Sequence, residues 1–408
     1  MKPVVAIISF PGNNCEVESI RAIKAAGMEP LFFRWNDSRE KLAGVDGYFI
    51  IGGFSYEDRG RAGMVAARDP LLAHIAAEAA LGKVVIGNCN GAQILVESGL
   101  IPLGSGLRMS LARNALRGQA VGFRNEWVWI KPTCAADRCA TSNWQGTMHL
   151  PIAHGEGRYV TKNPEVIAEL QKNDQIAFCY CTEGGEIRSD DPAVTPNGAT
   201  LGIAGICNPA GNVVVLMPHP ERTDNGAPYF KALRQWIESK KVKPYLQPTL
   251  EVLNRTLPKR KAREVEIFID TIIVNNEERT VEQAAHRIVP KLRLRQLRYL
   301  APANGDAESI LRKISLFNPN KEIAFIRRGS TLTRWNNDRK TEEPAESFLG
   351  NLALLRRDEP DTGASALGPG SETGVCYVCS GITEQEAQRN DLQEIFANPH
   401  ASTLERLS

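Results

Sequence analysis

The chain has 408 residues, 42% hydrophobic and 24% charged, with a formal net charge of +2, a length that implies two domains or three. So balanced a charge gives no electrostatic argument for nucleic acid or an anionic membrane as partner, and no apolar run approaches the roughly 18–20 residues of a bilayer span. Nine cysteines, an odd number scattered through a chain long enough to build a core without staples, point to a reducing, cytoplasmic setting.

The N-terminal "MKPVVAIISFPGNN" carries one Lys and a short apolar run that soon turns polar, so it reads as a first strand rather than a signal peptide. From there to about residue 240, β-rich runs alternate with helical patterns. "VVAIISF" precedes "CEVESIRAIKAAG", "GYFIIGG" precedes "DPLLAHIAAEAALG", and "KVVIGN" precedes "GAQILVESG". Apolar strands separated by amphipathic helices predict an α/β domain with a mostly parallel sheet covered on both faces. "NEWVWIKP", "QIAFCYC", "TLGIAGICN" and "GNVVVLMPH" read as added strands, the last two joined by a turn at "NPAGN". "APYFKALRQWIESKK" closes the domain as a helix.

Residues 241–263, with prolines, a basic cluster and no clean period, read as a linker. Residues 264–408 hold two β-α-β passages, "EVEIFID"/"TVEQAAHRIVP"/"KLRLRQLRYL" and "GVCYVCS"/"TEQEAQRNDLQEIFANP"/"STLERLS", and predict a smaller α+β domain, with a ferredoxin-like sheet as one arrangement. "RKTEEPAES" and "RRDEPDTGASALGPGSETG" read as mobile loops. Cys376 and Cys379 form a lone CxxC with no second pair at zinc-like spacing, so a half-buried strand outweighs a metal or redox role. The basic strand "PKLRLRQLRYL" is balanced by later acidic residues and reads as a solvated or partner-facing surface rather than a nucleic-acid site. His286 and His400 carry no chemistry that the pattern supports.

The chemistry concentrates elsewhere. Strand, Gly87-Asn88-Cys89-Asn90-Gly91, then helix is the arrangement of a nucleophile elbow, in which glycines let a strained turn lift the nucleophile clear of the sheet. The thiol also stands at a helix N-terminus, where the dipole favours thiolate. A buried structural Cys is the competing reading. A thiolate needs a base and the base an orienter, and "MPHPER" supplies His219 just past a strand with Glu221 two residues on. Gly52-Gly53, directly after another strand, can present backbone N–H donors to a ligand without Cβ hindrance.

"FPGNNCE", "GGFSYEDRGRAG", "GNCNGAQIL", "PIAHGEGRY", "IAGICNPAGNV" and "MPHPER" occur in that order. Together they resemble the class I glutamine amidotransferase subunits of phosphoribosylformylglycinamidine synthase over about residues 1–240. The resemblance implies a glutaminase of purine biosynthesis on a flavodoxin-like fold. Cys89 would be the nucleophile, His219 the base and Glu221 its orienter. Gly53 and Asn90 would form the oxyanion hole, and Gly52, Phe54, Gln93, His154, Gly155 and Glu156 would line the glutamine pocket or the partner surface. It implies no metal or cofactor in this chain, with ATP and Mg²⁺ used by a large synthetase subunit that receives the ammonia. The absence of a Walker-type loop agrees with that. A small third subunit is a further implied partner, to which the last passage is faintly similar. A docking domain without activity is the competing reading of residues 264–408. An amidotransferase serving another acceptor, or an inactive scaffold, are the alternatives for the whole. The family's elbow usually reads Gly-Ile-Cys-Asn-Gly-Phe-Gln, so Asn88 and Ala92 are departures.

Overall fold

Unbroken apolar runs become fully buried parallel strands, and in this protein they place one turn at the centre of a sheet. The computed structural model describes residues 2–104, 106–239, 255–348 and 352–407, in two units, Met1–Val252 and Leu253–Ser408. In the first unit the elements run β1 (Val4–Ser9), α1 (Glu16–Ala25), β2 (Glu29–Arg34), β3 (Gly47–Ile50), α2 (Pro70–Ala80), β4 (Val84–Asn88) and α3 (Asn90–Glu97). There follow β5 (Ser110–Arg113), β6 (Arg124–Pro132), β7 (Met148–His154), β8 (Glu156–Val160), α4 (Pro164–Lys172), β9 (Ile176–Cys181), β10 (Ile203–Cys207), β11 (Val213–Leu216) and α5 (Ala227–Ser239).

Nine of these strands form one mixed sheet in the order β2-β1-β3-β4-β11-β10-β9-β6-β7. The pairings from β2 through β11 are parallel; those from β11 through β7 are antiparallel. Both faces of the parallel half are covered, which is why its strands lack alternation. On β3, Tyr48 meets His74 of α2 at a ring separation of 6.3 Å, while the next residue, Phe49, meets Phe230 of α5 at 5.9 Å. α2 starts sharply because Asp69 accepts from the Leu71 N–H and Pro70 fills the first helical position. The "PIAHGEGRY" stretch is β7 running through a one-residue break into β8, which pairs with β5 off the main sheet.

Part of the linker reading, residues 241–254, lies outside the described residues. Residues 258–260 run beside the last strand, with the Arg260 N–H donating to the Arg406 carbonyl at 2.8 Å. The second unit runs β12 (Glu266–Thr271), α6 (Asn276–His286), β13 (Arg293–Ala301), α7 (Ala307–Leu311), β14 (Glu322–Arg328), β15 (Thr331–Asn336), β16 (Thr341–Pro344), β17 (Leu352–Asp358), β18 (Glu372–Ser380), α8 (Asn390–Phe396) and β19 (Ser402–Leu407). Its sheet has the order β16-β15-β14-β12-β13-β18-β17-β19, with antiparallel pairings. "RKTEEPAES", read as a loop, contains the edge strand β16. The next loop reading begins inside β17. Short polar edge strands carry too little alternation to separate from loops by pattern.

The six strands from β14 to β19 in that order are palindromic. β14, β12 and β13 lie in the order third-first-second, and from the β13–β18 pair onward β18, β17 and β19 follow in the mirrored order second-first-third. The turns before the third strands also match. The Asn318 carbonyl accepts from Lys321 and Glu322 N–H at 3.1 and 2.9 Å; the Asn398 carbonyl accepts from Ala401 and Ser402 N–H at 3.1 and 2.9 Å. Each Asn precedes a Pro.

Candidate active site

The turn from β4 into α3 holds Cys89 at φ 51°, ψ −109°, a strained conformation for a residue with a Cβ. The flanking glycines are required by contact. A Cβ on Gly91 would collide with the Ile50 carbonyl of β3, and one on Gly87 would lie 2.6 Å from the Gly91 carbonyl carbon. The sulfur is nearly buried, 3.7 Å from the Ala153 carbonyl.

His219 follows β11 and is anchored by its own N–H, which donates to the Pro151 carbonyl at 2.9 Å. Its Nδ1 and Glu221 Oε1 are 2.6 Å apart, both side chains buried. Nε2 has no hydrogen-bond partner among the described residues and stays available to a thiol. Burial opposes charge on the imidazole, but the neighbouring Cys89 and then Glu221 overturn it and push His219 well above its ordinary value. Burial likewise opposes ionisation of Glu221, yet His219 holds the carboxylate below its usual range. Both shifts favour an imidazolium–carboxylate pair. Asn88 completes it: its Nδ2 donates to Glu221 Oε2 at 3.0 Å, and Tyr229 Oη of α5 donates to Asn88 Oδ1 at 3.2 Å. The polar residue beside Cys89 therefore holds the carboxylate that pairs with His219.

A second loop faces this turn. Gly53 has φ +134°, and a Cβ there would lie 2.5 Å from Asn13 Cα. Asn13 Nδ2 donates to the Gly52 carbonyl at 3.1 Å and to Asn90 Oδ1 at 3.2 Å, and the Ser55 N–H donates to Asn90 Oδ1 at 3.0 Å. The Asn90 backbone N–H begins α3 and so lacks an intrahelical acceptor. Three consecutive non-glycine residues, Tyr56, Glu57 and Asp58, then take φ of 52°, 58° and 54°. This is local strain held beside the turn.

The profile of CobB/CobQ-like glutamine amidotransferase domains matches residues 2–247. The chain belongs to this family. A phosphoribosylformylglycinamidine synthase subunit PurQ from Methanothrix thermoacetophila is 46% identical over 225 residues, 53% of this chain and 86% of that one. The subunit of the same name from Methanopyrus kandleri is 37% identical over 244 residues, 58% of this chain and 99% of its own. A chain in a solved structure described as PurLQS from Thermotoga maritima is 30% identical, covering 58% of this chain and all of that one, with a TM-score of 0.46. The protein is thus a PurQ homologue with a glutaminase domain and extra C-terminal sequence. Its Cys–His–Glu set is of the kind that hydrolyses glutamine to glutamate and ammonia.

The other residues that the resemblance assigns to a pocket or partner surface gather around the same turn. Gln93 Oε1 accepts from Asn90 Nδ2 at 2.9 Å, and its Nε2 donates to the Glu156 carbonyl at 2.5 Å. His154 is buried with neither ring nitrogen bonded among the described residues, and burial followed by nearby His219 pushes it down to about 3. The shift favours the neutral imidazole, whose ring nitrogens can donate or accept. Gly157 packs against its ring. Glu156 accepts from the Ala62 N–H at 3.1 Å, and Gly155 lies beside Phe123. Gly52 is buried against His219. Phe54 is 41% exposed and stacks on Phe123 with centroids 6.4 Å apart. Asp58, pushed up to about 7 by burial and then Glu156, lies 3.4 Å from Asn90 Nδ2.

Sequence reasoning missed three participants. Asn13 and Cys15 lie in "FPGNNCE", a stretch that served the resemblance but received no role. Arg222, next to Glu221, was passed over. Among the described residues, no helix is long and apolar enough to cross a membrane.

Proposed function

We propose that this chain is the glutaminase component of a phosphoribosylformylglycinamidine synthase. The Cys89 thiolate attacks the side-chain amide carbon of L-glutamine, and the Gly53 and Asn90 N–H groups receive the oxyanion. His219, oriented by Glu221, protonates the departing nitrogen, so the C–N bond breaks and ammonia leaves a Cys89 thioester. His219 then takes a proton from water as it attacks, releasing glutamate and the free thiol. Gly52, Phe54, Gln93, His154, Gly155 and Glu156 hold the substrate or meet the partner. Ammonia passes to a large synthetase subunit that uses ATP and Mg²⁺ to make the amidine.

The observation that carries this reading is the strained Cys89 elbow beside a His219–Glu221 pair whose proton affinities favour charge separation. The palindromic sheet supports treating residues 264–408 as two related three-stranded units, each with a helix before its third strand, standing in for the small third subunit. The test is glutamine hydrolysis by the chain with the large subunit, ATP, Mg²⁺ and formylglycinamide ribonucleotide, wild type against Cys89→Ala. Hydrolysis and amidine formation are expected only with Cys89. A wild-type chain silent beside its partner overturns the enzymatic reading. Hydrolysis without amidine overturns the acceptor alone.

A further inference from the structure

His219 is flanked by two sulfurs, and the chemistry above uses one. Cys15 is fully buried at the N-terminal cap of α1, where its side chain makes no cap hydrogen bond. Its Sγ instead accepts from Arg222 Nη2 at 3.0 Å and lies 4.0 Å from His219 Nδ1. Gly52 closes the remaining side, since a Cβ there would lie 2.9 Å from His219 Cε1 and 3.0 Å from Cys15 Sγ. The sulfur, nitrogen and oxygen of Cys15, His219 and Glu221 all fall within 4.8 Å of one another. Such a trio could suggest a metal. The Nδ1–Oε1 separation of 2.6 Å, however, is that of a shared proton, and a guanidinium on the sulfur opposes a cation.

We propose that Cys15 is a positioning residue for the glutaminase reaction: its sulfur fills the space beside the His219 ring and holds Arg222 away from Glu221. The inference rests on the reading of Cys89, His219 and Glu221 as nucleophile, base and orienter. The titratable and charged groups around His219 are Cys89 from the β4–α3 turn, His154 from β7, Cys15 from the segment before α1, and Glu221 and Arg222 from its own segment. Arg222 already feels Glu221 as well as Cys15. With the sulfur removed, the guanidinium gains the carboxylate as its nearest buried acceptor, and His219 loses the partner that stabilises its charged form. Serine keeps an acceptor for Arg222, whereas alanine keeps neither bulk nor acceptor.

The test uses the full chain and follows iodoacetamide alkylation of Cys89, resolved by peptide mass, as a function of pH. In Cys15→Ala the curve is expected to move about one pH unit upward, slowing alkylation at neutral pH about tenfold. Cys15→Ser should fall between it and wild type. With the synthetase partner, kcat should fall while KM for glutamine holds. A purely structural Cys15 would lower the unfolding midpoint and leave the curve in place, which overturns the proposal. Should Cys15→Ala not fold, Arg222→Lys replaces it. A lysine that moves the curve upward supports the proposal, and one that leaves it unmoved overturns it. A wild-type Cys89 curve identical to that of a free thiol would instead defeat the underlying triad reading.

Discussion

Each unit buries charge, but the two do so differently. In the second unit Glu266 is fully buried and its carboxylate is claimed from several sides. Tyr299 Oη donates to Oε1 at 2.7 Å, and Arg327 Nε donates to Oε2 at 2.6 Å. Arg260 in turn pairs with Glu405 at 2.9 Å and with Glu372. That cluster is paired in charge: its acids and bases face one another inside the sheet. In the first unit the buried series ends on His219 Nε2, with no bonded partner among the described residues, beside a thiol in a strained turn. A buried network whose charges face one another holds a fold. One that ends on a ring nitrogen beside a thiol can take up a proton from outside the network.

The sharpest way to break this contrast is Cys89→Ala. It should abolish glutamine hydrolysis by at least about 10⁴-fold, measured with the synthetase present, and leave hydrogen exchange in β12–β14 unchanged. Glu221→Gln should lower kcat by about 10³–10⁴-fold, because the amide cannot hold the imidazolium. The Glu221–His219 pair stabilises the fold only inside a pH window. Glu221, depressed when folded, loses its contribution as pH falls through its folded value. His219, raised when folded, loses its own as pH rises through its folded value. In Glu221→Gln, urea midpoints measured across pH should therefore vary less. A variant as pH-sensitive as wild type would argue against the ion pair.

Glu266→Gln tests the charge-paired network. Leaving Arg327 and Arg260 short of a buried counter-charge should destabilise the second unit by about 3–5 kcal/mol, seen as faster exchange in β12–β14, with Cys89 alkylation as in wild type. Asn88→Leu removes the donor to Glu221 and the acceptor for Tyr229 Oη, for about 1–3 kcal/mol of stability and a smaller fall in kcat. Asp58→Asn should have the mildest effect. Asp58 is ionised in the unfolded chain above its ordinary value but takes a proton up to about 7 when folded, so wild-type stability declines as pH rises across that interval. The asparagine variant should show a flatter decline in thermal scans.

The elbow was legible because its requirements are local: Gly87, Cys89 and Gly91 stand within five residues, and His219 and Glu221 within three. Asn88 was visible as an oddity, but its partner lies 133 residues away. Cys15 and Arg222, 207 residues apart, meet only because β1 and β11 belong to one sheet. Strand polarity beyond β11 was hidden, since apolar runs do not encode direction. The palindrome in the second unit escaped for a different reason. The first copy has α6 between its first two strands, whereas the second has the Gly- and Pro-rich passage 359–371, so the sequences share little beyond the Asn-Pro turn.

That palindrome has a consequence for mass action. Two three-stranded units that pair through β13 and β18 within one chain associate intramolecularly. Dilution cannot separate them, and neither copy waits for a partner to be synthesised. Any two-fold surface the paired copies present is fixed at one per Cys89, whatever the concentration of the chain.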